Sequence, residues 1–394
     1  MEVIGKRKSM AIKTLTLIAF GLNFFFVSCN TNTYIGRWMT WRASDIKDFE
    51  KFPSMTFEPS SSPFAFIQAP DYSLNLLPVS LDENVKEPLH DILNHSETTA
   101  FIVIRNDSLI YEKYFNGYNR ESINTSFSVG KSITSLMIGM AVDEGLINSV
   151  NDPVTNYISE LSMRDPLYDS VTIAHLLNMR SGIQFKDHDL PWGDKPKAYY
   201  YPRLRERILE LPITFEPGSR FQYNSYNPIL AGMILEQVSK QPPAKYFEEK
   251  IWNRMHMEFS GSWSLDSDES RMTKMESGLN IRAIDFAKLG RLVLNKGNWN
   301  GEQIISKNWL EASCIISSSN KVNEFGDEIY YQNFWWLFSK DHEKAYIISG
   351  WGHLGQYLYI FPEKNIIVVR MGKDVGKVKS WRRLFQEIVD KIEN

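Results

Sequence analysis

Cysteine is nearly missing from this chain: Cys29 and Cys314 are the only two among 394 residues. No disulfide framework can organise a domain of this size, so its fold has to rest on a buried core. Charge of one sign is missing too, since 44 basic side chains face 47 acidic ones for a formal net charge of -3. That leaves no concentrated basic surface for nucleic acid, and no nucleic-acid partner is expected. The longest apolar run, Leu15 to Val27, is shorter than the roughly 20 residues a membrane-spanning helix needs. Metal-ligand spacing is also lacking: there is no H-E-x-x-H and no paired cysteine motif. His90, His95 and Asp187-His188-Asp189 read as solvated loop residues. No metal and no organic cofactor is expected, and there are no internal repeats. Cys314, in the apolar stretch Ala312 to Ile316, reads as a buried structural thiol.

The N-terminus carries an address. Lys6, Arg7, Lys8 and Lys13 precede the apolar run, which ends in Phe26-Val27-Ser28-Cys29 and gives way to Asn30-Thr31-Asn32-Thr33. This pattern resembles a bacterial lipoprotein signal. The resemblance implies that residues 1–28 are removed and that Cys29 carries lipid, holding the domain to a membrane of the cell envelope. Residues 29–95 show weak periodicity and turn formers such as Pro59-Ser60-Ser61-Ser62-Pro63, the pattern of an N-terminal wrap or linker. Residues 96–394 form the main domain. Phe101 to Arg105 and Leu109 to Tyr111, joined by Asn106-Asp107, predict a β-hairpin. A helix from about Ser128 to Glu144 is closed by Gly145. Residues of about 150–275 read as helices and loops, with a short helix at Ile173–Met179 and a longer apolar one at Pro228–Val238. Trp192, Tyr199, Tyr200 and Tyr201 fall in what reads as an exposed loop, a candidate lip over a pocket. Ala345 to Ser349, Gln356 to Phe361 and Ile366 to Met371 predict strands, and Trp381 to Ile392 a terminal helix. Strands at both ends with helices between them indicate an α+β domain closed by distant segments.

Ser128-Val129-Gly130-Lys131 is an S-x-x-K sequence at the head of the predicted apolar helix. Residues three apart on a helix share a face, so a hydroxyl and an amine can meet there. A serine hydroxyl attacks a carbonyl only when a base removes its proton, and a lysine serves as that base only if its pKa falls. Burial and the positive helix N-terminus both push in that direction. The same N-terminus offers backbone N–H groups to an oxyanion. Ser44-Asp45-Ile46-Lys47 and Ser318-Ser319-Asn320-Lys321 match the bare pattern as well, but neither opens a long apolar helix. Gly130-Lys131-Ser132 also matches the tail of a phosphate-binding P-loop. Thr125 stands where that loop needs its first glycine, which argues against a nucleotide.

Three ordered segments widen the pattern: Thr125-Ser126-Phe127-Ser128-Val129-Gly130-Lys131-Ser132, Ile173-Ala174-His175-Leu176-Leu177-Asn178-Met179-Arg180-Ser181-Gly182 and Phe221-Gln222-Tyr223-Asn224-Ser225-Tyr226-Asn227. Together they resemble the serine β-lactamase and penicillin-binding superfamily, nearest its class C-like branch of carboxylesterases and 6-aminohexanoate-dimer hydrolases. The resemblance runs from about residue 95 to 375. It implies a β-lactamase-like fold, with an antiparallel sheet flanked by helices and a mostly helical insertion at about 150–275. It implies an acyl-enzyme on Ser128, with Lys131 and Tyr223 handling the proton and the Tyr223 pKa lowered by the nearby Lys131 cation. Ser225 stands where the family's β-lactamases carry Asn, which resembles the oligomer-hydrolase pattern. His353-Leu354-Gly355 stands in for the Lys-Thr-Gly strand edge, and the Gln356 backbone N–H is expected to pair with that of Ser128 as the oxyanion hole. A neutral His353 weakens recognition of a substrate carboxylate. The expectation is therefore a hydrolase of small esters or amides, with β-lactam turnover or D-alanyl-peptide hydrolysis as the alternative within the enzyme class. The residues also admit a sensor that acylates without turnover and, furthest away, an ATPase.

Overall fold

The computed structural model describes residues 30–322 and 328–392. The predicted signal segment and Cys29 lie outside the described residues. Among those described, no helix is long and apolar enough to cross a membrane.

A nine-stranded sheet forms the frame. Its order is Lys321–Val322, Ile329–Gln332, Trp335–Ser339, Ala345–Gly352, Gln356–Phe361, Ile366–Gly372, Thr98–Arg105, Ser108–Tyr114 and Ile67–Gln68, antiparallel throughout except for the last pair. The predicted hairpin is Thr98–Arg105 and Ser108–Tyr114, and its turn residues Asn106 and Asp107 both take left-handed φ, as a tight turn requires. Thr98–Arg105 is central: its residues are nearly all buried, with the apolar run Ala100 to Ile104 packed on both faces. It pairs with Ile366–Gly372 from the far end of the chain, which closes the domain.

Alternation along the strands separates the two faces. Tyr357 and Tyr359 pack on Phe385 of the terminal helix Trp381–Ile392. Leu358 and Ile367 point the other way, against Gly290 of the helix Ala283–Leu294. Gly350, paired with Leu358, lies on that second face against Val129 of the helix Val129–Asp143. Every residue of that helix from Val129 to Ala141 is buried. It is apolar apart from Lys131, Ser132, Thr134 and Ser135, and it lies between the sheet and the helix Tyr226–Ser239. It ends as predicted at Gly145, whose φ of 72° lets Leu146 N–H reach back to Ala141.

Residues 150–275 carry the helices Glu160–Arg164, Ile173–Leu177, Asp194–Tyr200, Leu204–Leu209, Tyr226–Ser239 and Pro243–Phe247. The periodicity of the sequence did not reveal a second sheet of four short strands, ordered Ser54–Phe57, Gly261–Ser264, Leu279–Arg282 and Ile123–Thr125. Through it the N-terminal segment joins the domain as a paired strand. That segment is also tied in by Arg37, buried and hydrogen-bonded to the carbonyls of Thr31, Tyr200 and Asp266.

The aromatic stretch at 192–201 is not an exposed lip. It folds into the helix Asp194–Tyr200. Tyr200 is buried and Tyr199 is partly buried, both tied to the N-terminal segment, with Tyr199 Oη donating to Asp48 at 2.6 Å. Trp192 alone of the group is strongly exposed. Periodicity fails here because the burying surface is a remote segment. Cys314 is partly buried against the core, and burial pushes its thiol up to about 12, so it is inert.

Candidate functional site

The short strand Ile123–Thr125 delivers the chain to Ser128. Ser126 N–H donates to Leu279 O of the neighbouring strand, and Phe127 then takes a φ of 48°, a conformation unusual for a residue with a Cβ. This kink turns the chain so that Ser128 caps the buried helix, with its hydroxyl on the side of Lys131. Lys131 Nζ stands 2.7 Å from Ser128 Oγ and donates to the Glu276 carbonyl at 2.9 Å. The amine is fully buried, and burial pushes its pKa down to about 7, with Lys274 nearby lowering it further and Glu276 opposing. At neutral pH a substantial share of Lys131 is therefore the free amine, a base in contact with the hydroxyl. The Gly130-Lys131-Ser132 run offers no phosphate cradle, because Lys131 turns inward and Ser132 Oγ donates to Phe334 O.

Tyr223 reaches the same hydroxyl from the segment ahead of the helix Tyr226–Ser239. Its Oη hydrogen-bonds Ser128, its ring stacks on Trp336 at 5.6 Å, and Lys131 Nζ lies 5.1 Å over the ring. The expected lowering of its pKa does not occur. The hydroxyl is enclosed by protein although the ring keeps some exposure, and this burial pushes it up to about 12. Lys131 faces the ring rather than the oxygen, and an amine that sheds its own proton is a weak stabiliser of phenolate. Tyr223 is thus a neutral phenol at pH 7. Ser225 is half-buried at the start of its helix.

The third segment differs in detail from expectation. His353–Gly355 is a tight turn rather than a strand edge, with Leu354 at φ 61° and Gly355 at φ 81°. The strand laid against the nucleophile ends just before it. A Cβ on Gly350 would crowd Val129 and Ser132, and one on Gly352 would overlap Ser126 O. Pairing with Trp335–Ser339 stops at Trp336–Ser349, after which Gly350–Gly352 pairs on one side, with Gln356–Leu358. Gln356 opens that next strand. Its buried amide donates to His353 O and Gly372 O, a structural role that pins the turn. Gly355 O accepts from Arg370, a fully buried guanidinium that also reaches Thr98 Oγ1, Ser96 O and Asp374 O. His353 is exposed, sets its ring edge-on to Phe127 at 5.5 Å, and forms no hydrogen bond with Tyr223. Surrounding protein lowers its pKa, so it is neutral at pH 7.

Sequence reasoning missed Lys274 and Glu276, which stand beneath Lys131 as an ion pair of 2.7 Å with both side chains almost wholly buried. Little in the sequence marks them, because Met272-Thr273-Lys274-Met275-Glu276-Ser277-Gly278-Leu279 mixes polar and apolar residues, and Lys and Glu are mostly exposed in proteins. A cleft of about 600 Å³ beneath the terminal helix, with Phe338, Trp351, Tyr357 and Arg382 in its wall, contains none of Ser128, Lys131 or Tyr223. Among the described residues no three His, Cys, Asp or Glu side chains gather as a metal site.

Comparison with known proteins agrees with this arrangement. The chain is 24% identical over 299 residues to the 6-aminohexanoate-dimer hydrolase of Paenarthrobacter ureafaciens, covering 72% of this chain and 74% of that one. A Bacillus anthracis protein provisionally named a 6-aminohexanoate-dimer hydrolase superposes with a TM-score of 0.79 at 23% identity, over 91% of this chain and 95% of the other. The octameric penicillin-binding protein homologue of Pyrococcus abyssi superposes with a TM-score of 0.59 at 22% identity, over 78% and 76%. The β-lactamase family model matches residues 86–391, which takes in the whole of the Ser128, Lys131 and Tyr223 constellation, and the chain belongs to that family.

Proposed function

We propose that the protein is a serine hydrolase of small esters or amides. The observation that carries this reading is Lys131 Nζ at 2.7 Å from Ser128 Oγ, with its pKa pushed down to about 7. The Ser128 hydroxyl adds to the substrate carbonyl carbon as Lys131 takes the hydroxyl proton. In this reading the backbone N–H of Ser128 and one from the 350–356 segment beside it, that of Gln356 included, receive the oxyanion. Collapse of the tetrahedral adduct breaks the bond to the leaving oxygen or nitrogen, and Tyr223, a phenol at neutral pH, supplies the proton it needs. Water then attacks the acyl-enzyme, giving up a proton to the same groups, and frees the acid and Ser128.

A neutral His353 and Ser225 leave the site without the cation and amide that would favour a β-lactam carboxylate, which supports small neutral acyl groups. The linear amide named for the Paenarthrobacter relative belongs among the probes. Lipid on Cys29 remains part of the proposal, placing the domain at a membrane surface of the cell envelope.

The test is a fluorophosphonate label with a panel of p-nitrophenyl esters, a 6-aminohexanoate dimer and nitrocefin. The expected result is one covalent adduct on Ser128 and turnover of at least one ester or amide, both abolished by Ser128→Ala. Nitrocefin turnover faster than that of every ester would favour β-lactamase activity instead. A stable adduct without turnover would favour the sensor. Labelling that survives Ser128→Ala would overturn the assignment.

A further inference from the structure

Lys274 is a lysine with almost no exposure, close beneath another buried lysine, and the mechanism above leaves it unused. Its surroundings are fully built. Nζ pairs with Glu276 Oε1 at 2.7 Å and donates to Tyr199 O at 2.7 Å. The same ammonium lies 4.7 Å from the ring centre of Phe52 and 4.6 Å from that of Tyr199, a two-sided cation–π seat. Backbone bonds lock the turn around it: Ser277, Gly278 and the Trp263 indole all donate to Lys274 O, and Lys274 N–H donates to Ser264 O. Ser277 Oγ donates to the carboxylate oxygen that Lys274 holds. Residue 276 therefore touches both lysines, Lys274 through its carboxylate and Lys131 through its carbonyl. Phe52 belongs to the N-terminal segment and lies outside the 86–391 covered by the family match.

We propose that Lys274 is a positioning residue for Lys131. Seated between Phe52 and Tyr199 and tied to Glu276, it fixes the carbonyl that receives Lys131 and balances the carboxylate that would otherwise hold Lys131 as a cation. The proposal rests on the reading of Lys131 as the base toward Ser128. A carbonyl acceptor under Nζ aims one N–H away from the nucleophile and leaves the lone pair free to face Oγ. A carboxylate a few ångströms away favours ammonium, and an ammonium between them cancels that pull. The groups acting on Lys131 are Glu276 and Lys274 from this turn, Ser128 from its own helix and the Tyr223 ring.

The experiment measures the second-order rate of fluorophosphonate labelling, and kcat/KM on a p-nitrophenyl ester, across pH in the full chain. Lys274→Met should move the acidic limb to higher pH by about one unit or more, since the carboxylate then acts alone. Glu276→Gln should move it to lower pH. The double variant should bring it back toward the wild-type position, and Lys274→Arg should hold it there. A purely structural role predicts lower rates at every pH and an unmoved limb, and that result for both single variants overturns the proposal. If Lys274→Met does not fold, Glu276→Gln decides by the same criterion. Labelling that persists in Ser128→Ala sinks the hydrolase reading itself. Labelling lost in Ser128→Ala with an unmoved limb in the pair variants sinks only the role of Lys274.

Discussion

Two fully buried cations in this molecule meet opposite fates. Arg370, under the terminal helix, is surrounded by four acceptors from Ser96, Thr98, Gly355 and Asp374, and its guanidinium lies 4.0 Å from the centre of the Trp381 ring. Burial pulls it down only to about 9, so it remains a cation at neutral pH. Lys131 has one carbonyl and one hydroxyl for company, with a second ammonium nearby, and falls to about 7. The same burial penalty acts on both. It lowers them by similar amounts, so the difference lies in where each starts, 12.5 for the guanidinium and 10.5 for the amine. A guanidinium starts high enough to remain a cation after burial and can tie strands together, whereas a lysine amine under the same penalty loses its proton near neutral pH.

This contrast can be broken by substitution. Lys131→Met should lower ester hydrolysis and fluorophosphonate labelling by about 10³-fold or more, because the hydroxyl loses its proton acceptor. Its melting temperature should hold or rise, since the variant removes a poorly solvated amine. A marked fall in stability would mean that Lys131 is structural. Arg370→Met should do the reverse. Three buried acceptors and the Asp374 carbonyl lose their donor, and urea titration should show a stability loss of at least about 3 kcal/mol, with any activity loss following from the loosened 353–355 turn.

Tyr223→Phe sharpens the chemistry on the Lys131 side. It keeps the ring against Trp336 and removes the proton donor, so kcat should drop about 10²-fold with KM little changed. A change confined to KM would assign Tyr223 to binding. The mildest effect is a pH slope. The Lys131 pKa is near 7 folded and 10.5 as its ordinary value, so between these limits the unfolded chain binds a proton that the folded one does not. Its contribution to stability therefore rises with pH through that window and is lost as pH falls toward 7. The stability difference between Lys131→Met and wild type should narrow by about 1.4 kcal/mol per pH unit between about pH 7.5 and 9.5, measured by urea titration. A constant difference would mean that Lys131 stays charged when folded.

The same contrast explains what could be read in advance. The hairpin at 98–114, the helix at 129–143 and the late strands were legible because strong local periodicity and turn residues agree there with tertiary packing. Ser128, Lys131 and Tyr223 were legible because spacing along a helix and an ordered set of motifs survive in one dimension. The strands Ser54–Phe57, Gly261–Ser264 and Leu279–Arg282 are short, and remote partners decide them, so no local period marks them. The turn at 353–355 was misplaced for a related reason. Three glycines crowd Gly350 to Gly355, and the contacts of Gly350, Gly352 and His353 with residues 126–132 show that both the strand end and the turn approach the segment that carries Ser128. The Tyr223 pKa went astray because proximity in sequence motifs says nothing about whether a cation meets an oxygen or a ring face.

The pairing of Thr98–Arg105 with Ile366–Gly372 also sets an order in time. A ribosome releases residues 98–105 long before residue 366 exists, so the centre of the large sheet stays open until synthesis is nearly complete. Closing so long a loop is slow, and the half-made chain exposes an apolar strand edge while it waits. The nucleophile helix, buried between that sheet and Tyr226–Ser239, cannot be assembled earlier than its walls. On the proposed reading, Ser128 therefore meets its base only at the end of folding, and unfinished chains lack the assembled site.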